Sequence, residues 1–196
     1  MPALKVNSSL QEHLEEDSAQ VQIGLAYKAP APGADGWYEN ALLMGVLSGG
    51  MGARLFTEVR EKRGLVYSVA AVSRAVKGFG YSLGYAGTTP ERADETLEVL
   101  IHELRRIKEG VREDELERAR TGLLSQLVMQ GESSGARASA LARDTFLLGA
   151  PRLVEDIKTS LQNIGLDDLS AYLAKHYDPQ FTVLTLGPKA LAVVAS

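Results

Sequence analysis

One stretch of the chain, residues 48–69 (SGGMGARLFTEVREKRGLVYSV), limits the possible folds more than any other. Its glycine cluster at residues 49–52 permits backbone turns that larger residues disfavour. The spacing of apolar and polar residues over 53–63 predicts a helix, and Gly64 is a typical residue to end it. Alternation over residues 65–69 predicts a strand. The stretch therefore predicts a glycine loop, a short helix and a strand in immediate succession.

The predicted helix has a charged stripe that ordinary surface chemistry explains. Arg54, Glu58 and Lys62 follow one another at i,i+4 spacing, so their opposite charges can pair along the helix. We expect this stripe to be solvated surface. Arg60 differs, because its helical neighbours, Phe56 among them, include no acid.

Arg60 and Tyr67 are candidate substrate-binding residues on chemical grounds. An arginine fork of N–H donors without a carboxylate partner is suited to peptide carbonyls or to a substrate carboxylate. Tyr67 lies beyond the glycine turn and would bring a phenol donor to the same cleft. An ordinary surface arginine and a half-buried strand tyrosine are the alternative interpretation.

The run GGMGARLFTEVREKRGLVYSV resembles the signature of the second half-domain of the pitrilysin, insulinase and mitochondrial processing peptidase family. A glycine pair, R-L-F, R-E-K-R-G-L and a tyrosine recur there in this order, and weaker similarity extends over about residues 21–188. The resemblance implies a peptidase built from two similar α/β half-domains that close on a peptide. The first half holds zinc through HxxEH and a distal glutamate. This chain resembles only the second half.

The resemblance also implies roles for particular residues. Arg60 would hold the substrate backbone, and Tyr67 would donate to the oxyanion that develops as zinc-bound water attacks. The family's glycine loop lies near the substrate cleft, which makes Gly49 and Gly50 candidate substrate contacts. The zinc would be bound by a partner domain or subunit that carries HxxEH, and this chain is expected to bind no metal itself.

Two other classes of function remain open. A non-catalytic family member that serves assembly would need neither Arg60 nor Tyr67, so the presence of both favours the peptidase. Residues 131–135 (GESSG) fit the GxSxG pattern of a serine hydrolase, and His176 follows in the order such enzymes use. The serine of that pattern requires a preceding strand, whereas residues 123–130 predict a helix.

The histidines form no recognisable zinc motif. His13 begins a sequence like HxxEH, but Asp17 is where the second histidine is required. His102 begins a sequence like HExxH, but Arg106 occupies the closing position. Zinc needs three converging protein ligands, and the sequence suggests no such set.

The order of predicted elements favours one fold class. A strand and a helix precede the short helix at residues 53–63, and a hairpin, several helices and a closing strand follow it. This order predicts an α+β two-layer sandwich whose mainly antiparallel sheet is covered on one face by helices. We interpret residues 1–18 as a lead-in or inter-domain tether and residues 19–196 as a single peptidase-family half-domain.

The composition excludes several classes of partner. The net charge of −4 and the lack of a basic tail argue against nucleic acid. The chain has no cysteine, so it has neither disulfides nor thiolate metal ligands. It has no apolar run of about 18 residues, so we expect no membrane span. These features are typical of a soluble protein, and they leave its compartment open between cytoplasm and periplasm.

Overall fold

The computed structural model describes residues 10–192, which form a five-stranded sheet with helices packed against it. The strand order is β1-β5-β2-β4-β3, and all pairs are antiparallel except β1 with β5. The strands are β1 (Gln11–Glu15), β2 (Val21–Ala29), β3 (Val66–Val76), β4 (Phe79–Thr88) and β5 (Thr182–Gly187).

Six α-helices connect these strands within the described residues. They are α1 (Trp37–Ser48), α2 (Ala93–Arg106), α3 (Glu113–Glu132), α4 (Ser134–Leu148), α5 (Val154–Asn163) and α6 (Leu166–His176). A π-helix (Phe56–Glu61) precedes β3, and short 3-10 turns lie at Pro90–Arg92 and Ile107–Glu109. None of the helices within residues 10–192 has the length and apolarity needed to cross a bilayer.

The helices bury one face of the sheet. Alternate residues of β2, including Val21, Ile23 and Leu25, are buried, while the residues between them are partly exposed. Strand β4 contributes small residues to the buried face, and a Cβ at Gly84 would lie 3.0 Å from the Leu104 side chain of α2. We call the other face, which is partly exposed, the outer face. The α+β class and the mainly antiparallel sheet are confirmed.

One local prediction needs correction. Residues 11–15, which we assigned to a lead-in, form β1 and pair with β5 in the sheet. The polar sequence of β1 does not predict a strand, because a short edge strand needs no alternation of apolar residues. The rest of the 1–18 segment includes residues 1–9, which lie outside the described residues.

Candidate functional site

The helical segment within residues 53–63 is wider than the α-helix that its spacing predicts. The Lys62 amide donates to the Thr57 carbonyl over 3.0 Å, which is the i→i+5 hydrogen bond of a π-helix. Segments of this kind occur frequently at functional sites. The extra residue in the turn changes which side chains share a face, so the stripes expected from α-helical geometry apply only in part.

Arg54 is not part of a solvated stripe. Its guanidinium donates to both carboxylate oxygens of Glu115 on α3, each over 2.7 Å, and to the Gly110 carbonyl over 2.8 Å. Its side chain is only 12% exposed. Burial opposes the ionisation of Glu115, but the hydrogen bonds from Arg54 and from the Arg112 amide outweigh it and lower the pKa of Glu115. The pair therefore fixes the N-terminal end of the segment on α3.

Glu58 binds Lys62 and Arg63, two of the three remaining cations of the segment. Its carboxylate accepts from Lys62 over 2.7 Å and from Arg63 over 3.2 Å, and Arg106 of α2 lies 3.8 Å away. The i,i+4 pair of Glu58 and Lys62 is the part of the predicted stripe that the structure confirms. The hydrogen bond from Lys62 is the main cause that lowers the pKa of Glu58.

Arg60 has a different environment from these cations. It is exposed, and its guanidinium lies 5.0 Å from the centre of the Phe56 ring. Within residues 10–192, no carboxylate forms an ion pair with Arg60. Binding of a carbonyl or carboxylate from outside the chain by Arg60 stays a prediction.

The turn between Arg60 and Tyr67 is held by its own backbone. Gly64 has a φ of 62°, in the left-handed region that favours glycine. Its amide donates to the Arg60 carbonyl over 3.1 Å, and the Leu65 amide donates to the Val59 carbonyl over 3.1 Å. These two bonds end the helix and start β3 without an intervening flexible loop.

Side chains from β4 and from the 3-10 turn Pro90–Arg92 bind the carbonyls of the same turn. The Thr88 hydroxyl donates to the Leu65 carbonyl over 2.5 Å, and the Thr96 hydroxyl lies 3.2 Å from that of Thr88. Arg92 donates to the Gly64 carbonyl. Sequence reasoning missed these three residues, because they are at least 23 positions from the turn and no local pattern marks them.

Tyr67 is the extra residue of a β-bulge. Val66 is paired with Thr88 and Ser68 with the adjacent Gly87, so Tyr67 has no direct counterpart on β4. A bulge turns a side chain away from the regular alternation, and bulges are frequent next to active sites. Tyr67 is 62% exposed, and its phenol has no hydrogen-bond partner in the part of the chain that the structure describes.

Gly49 and Gly50 lie at the other end of the helical segment. A Cβ at Gly49 would lie 2.4 Å from the Gly45 carbonyl oxygen, so the end of α1 itself requires glycine there. Gly50 has a φ of 136°, with open space around it. The loop is bound to α3, since Arg118 donates to the Gly52 carbonyl over 3.0 Å. A substrate contact by Gly49 and Gly50 stays a prediction.

The serine hydrolase alternative lacks its structural context. Ser133 follows helix α3 rather than a strand, and its hydroxyl accepts the Ala136 amide over 3.3 Å as the cap of α4. His176 lies 3.2 Å from Asp35 instead of approaching Ser133. Within residues 10–192, no group of three or more His, Cys, Asp or Glu side chains is arranged to hold a metal ion.

Comparison with known proteins identifies a family of similar chains. The family model described as the peptidase M16 inactive domain matches residues 3–123. An uncharacterized zinc protease of Mycobacterium tuberculosis is 29% identical over 176 residues, which cover 89% of this chain and 40% of that protein. The chain therefore spans less than half the length of this curated relative.

Solved structures share the fold. The crystal structure of a peptidase M16 inactive domain from Pseudomonas fluorescens has a TM-score of 0.80 and 23% identity, covering 95% of this chain and 45% of that one. A chain of complex III2 from Candida albicans also has a TM-score of 0.80, with 15% identity, covering 93% of this chain and 46% of that one. At these identities, the similarity establishes the architecture.

Proposed function

The chain belongs to the peptidase M16 inactive-domain family, and on this premise we propose that it is the substrate-binding half of a zinc-dependent endopeptidase. The family resemblance carried by residues 48–69 is confirmed. One observation carries the proposal. Arg60 and Tyr67 are exposed, and within residues 10–192 their side chains have no ionic or hydrogen-bonding partner. They flank a turn in which both backbone groups of Gly64 and of Leu65 are hydrogen-bonded.

In this proposal, the two side chains bind different parts of the peptide. The Arg60 guanidinium donates to a backbone carbonyl of the substrate, and the Tyr67 phenol donates to the scissile carbonyl oxygen as negative charge develops there. The bonded turn matters because a donor that is already oriented needs no reorganisation during the reaction. A zinc ion in the other half would supply an activated water.

The zinc-bearing half lies outside this chain in our proposal. The described residues offer no cluster of three ligands, and similar proteins are named zinc proteases. This chain covers only 40% of the Mycobacterium tuberculosis relative, so the rest of a protein of that length has room for a second half with HxxEH. That half would be another domain of the same polypeptide or a separate subunit.

A non-catalytic assembly role is the second candidate function. The fold shared with a chain of complex III2 is the observation that keeps it open. An assembly role makes no use of an exposed phenol or of an arginine without an acidic partner. The two candidates therefore differ in what Arg60 and Tyr67 do.

Reconstitution tests the proposal. Zinc content and peptide cleavage are measured for this chain alone, for the HxxEH half alone, and for the mixture. We expect cleavage only in the mixture, with one zinc per pair that a chelator removes together with activity. A stable complex that contains zinc but cleaves no peptide would contradict the peptidase and support the assembly role.

A further inference from the structure

On strands β2, β4 and β3, the outer face of the sheet carries charge at one end only. Strand register aligns its side chains in rows across β2, β4 and β3. One row, formed by Gln22, Gly87 and Ser68, lies beside the Tyr67 bulge. The row at the opposite end of the strands is formed by Lys28, Tyr81 and Arg74, and we call it the cationic row.

The cations of this row have no acidic partners. Lys28 and Arg74 are both exposed and lie on either side of Tyr81, and within residues 10–192 neither forms an ion pair. Lys77 in the adjacent turn is also exposed. The chain as a whole has a net charge of −4, so a cluster of unpaired cations is not a product of general basicity.

The geometry of the row suits a carboxylate. Neighbouring strands are about 4.8 Å apart, so the backbones of Lys28 and Arg74 are separated by about 10 Å, which both long side chains can span. The Phe79 and Tyr81 rings stack with their centres 6.1 Å apart and form an apolar floor beside the cations. Among the outer-face residues of β2, β4 and β3 there is no acid to compete for these cations.

A largely apolar band connects the cationic row to the Tyr67 end. It consists of the small or aliphatic residues Gly24, Ala26, Ala70, Val72 and Leu83. It also contains Tyr85, which lies between Gly24 and Ala70 and whose hydroxyl donates to Gln22 over 2.5 Å. From Ser68 to Arg74, β3 advances six residues, or about 20 Å at 3.3 Å per residue. An extended peptide covers that distance with about six residues of its own.

We propose that the outer face binds an extended peptide substrate and that the cationic row binds a carboxylate about six residues from the scissile bond. This inference rests on the proposed function, because Tyr67 marks where the scissile bond lies. The carboxylate is an acidic side chain or the C-terminus of the peptide. Either one would form charge-assisted hydrogen bonds with Lys28 and Arg74.

Peptide binding to this chain alone tests the inference without zinc. Fluorescent peptides of one sequence carry glutamate, glutamine or a C-terminal carboxylate at the sixth residue from the expected bond. The glutamate lies on the N-terminal side of the bond in one peptide and on the C-terminal side in another. We expect a carboxylate to tighten binding about three- to tenfold, less at high salt. The peptide whose binding tightens most shows whether the cationic row binds an acidic side chain or a C-terminal carboxylate.

Two double variants test whether the tighter binding of the acidic peptide comes from the cationic row. Lys28→Gln with Arg74→Gln should abolish the advantage of the acidic peptide and leave binding of the glutamine peptide unchanged. The control, Arg137→Gln with Lys158→Gln, removes the same charge from the helical side, where both residues are exposed, and should preserve the advantage. An advantage that survives loss of the cationic row, or that never exists, would overturn the inference.

The reconstituted enzyme then separates the two proposals. Faster cleavage of the acidic peptide, lost in the Lys28 and Arg74 variant, supports both. A binding preference without cleavage in the zinc-loaded mixture would contradict the peptidase while preserving the carboxylate site. Cleavage without any preference would preserve the peptidase and contradict the carboxylate site.

Discussion

Arg54 and Arg60 belong to one helical segment, yet they have opposite environments. Arg54 is buried against α3 and donates to Glu115 and Gly110. Arg60 is exposed, and within residues 10–192 it has only the Phe56 ring beside it. The comparison teaches that the segment has a docked side, which holds it in the fold, and an exposed edge with Arg60 and Tyr67. The side chains of this edge have no ionic or hydrogen-bonding partner among residues 10–192.

The largest effect should come from breaking the docked side. Arg54→Ala leaves the buried Glu115 carboxylate without its main partner, which should lower the free energy of unfolding by about 3–5 kcal/mol. Arg63→Ala is the matched control, because it removes an exposed partner of Glu58 and should cost at most about 1 kcal/mol. Urea unfolding of the chain measures both. Equal losses of unfolding free energy in the two variants would contradict the distinction between the docked side and the exposed edge.

The next effect should appear in turnover and not in stability. Tyr67→Phe removes only the phenol donor, so kcat of the zinc-loaded assembly should fall about 10²- to 10³-fold, as for one oxyanion donor. The side chain is largely exposed, so the unfolding free energy should stay within about 0.5 kcal/mol. Unchanged turnover with intact zinc content would exclude Tyr67 from the mechanism.

A substitution in the glycine loop tests whether Gly49 belongs to the docked side or to the exposed edge. A Cβ in Gly49→Ala would collide with the Gly45 carbonyl, so stability should fall by about 1–3 kcal/mol. Gly122→Ala, in an open position of α3, should instead stabilise the chain by about 0.5–1 kcal/mol. If Gly49→Ala kept its stability and weakened peptide binding, Gly49 would belong to the exposed edge.

The smallest effect concerns pH. The folded-state pKa of Glu58 is lowered, chiefly by its hydrogen bond from Lys62. Such a group stabilises the fold above its unfolded pKa of about 4.3 and loses this contribution as pH falls through the folded value. The free energy of unfolding should therefore decrease below about pH 4, and that of the Glu58→Gln variant should decrease less. Urea unfolding between pH 3 and 7 measures the slopes, and parallel slopes would contradict the assignment.

Local signals in the sequence predicted the exposed edge better than the docked side. The absence of an acid near Arg60 can be checked within one helical turn, and the hairpin after Gly64 has a plain alternation. The Arg54 partner lies 61 residues away and the Gly64 carbonyl is bound by a residue 28 positions away, so neither has a local signal. Strand β1 was missed because its only described pairing is with β5, near the other end of the chain.

Arg60→Ala is the measurement that tests the account most directly, because Arg60 is the cation of the helical segment that has no acidic partner among the described residues. We expect an unfolding free energy within about 0.5 kcal/mol of wild type. In the zinc-loaded assembly, kcat/KM for a peptide should fall about 10- to 100-fold through loss of charge-assisted hydrogen bonds. A large loss of stability with unchanged kcat/KM would show that Arg60 holds the fold and would contradict the account.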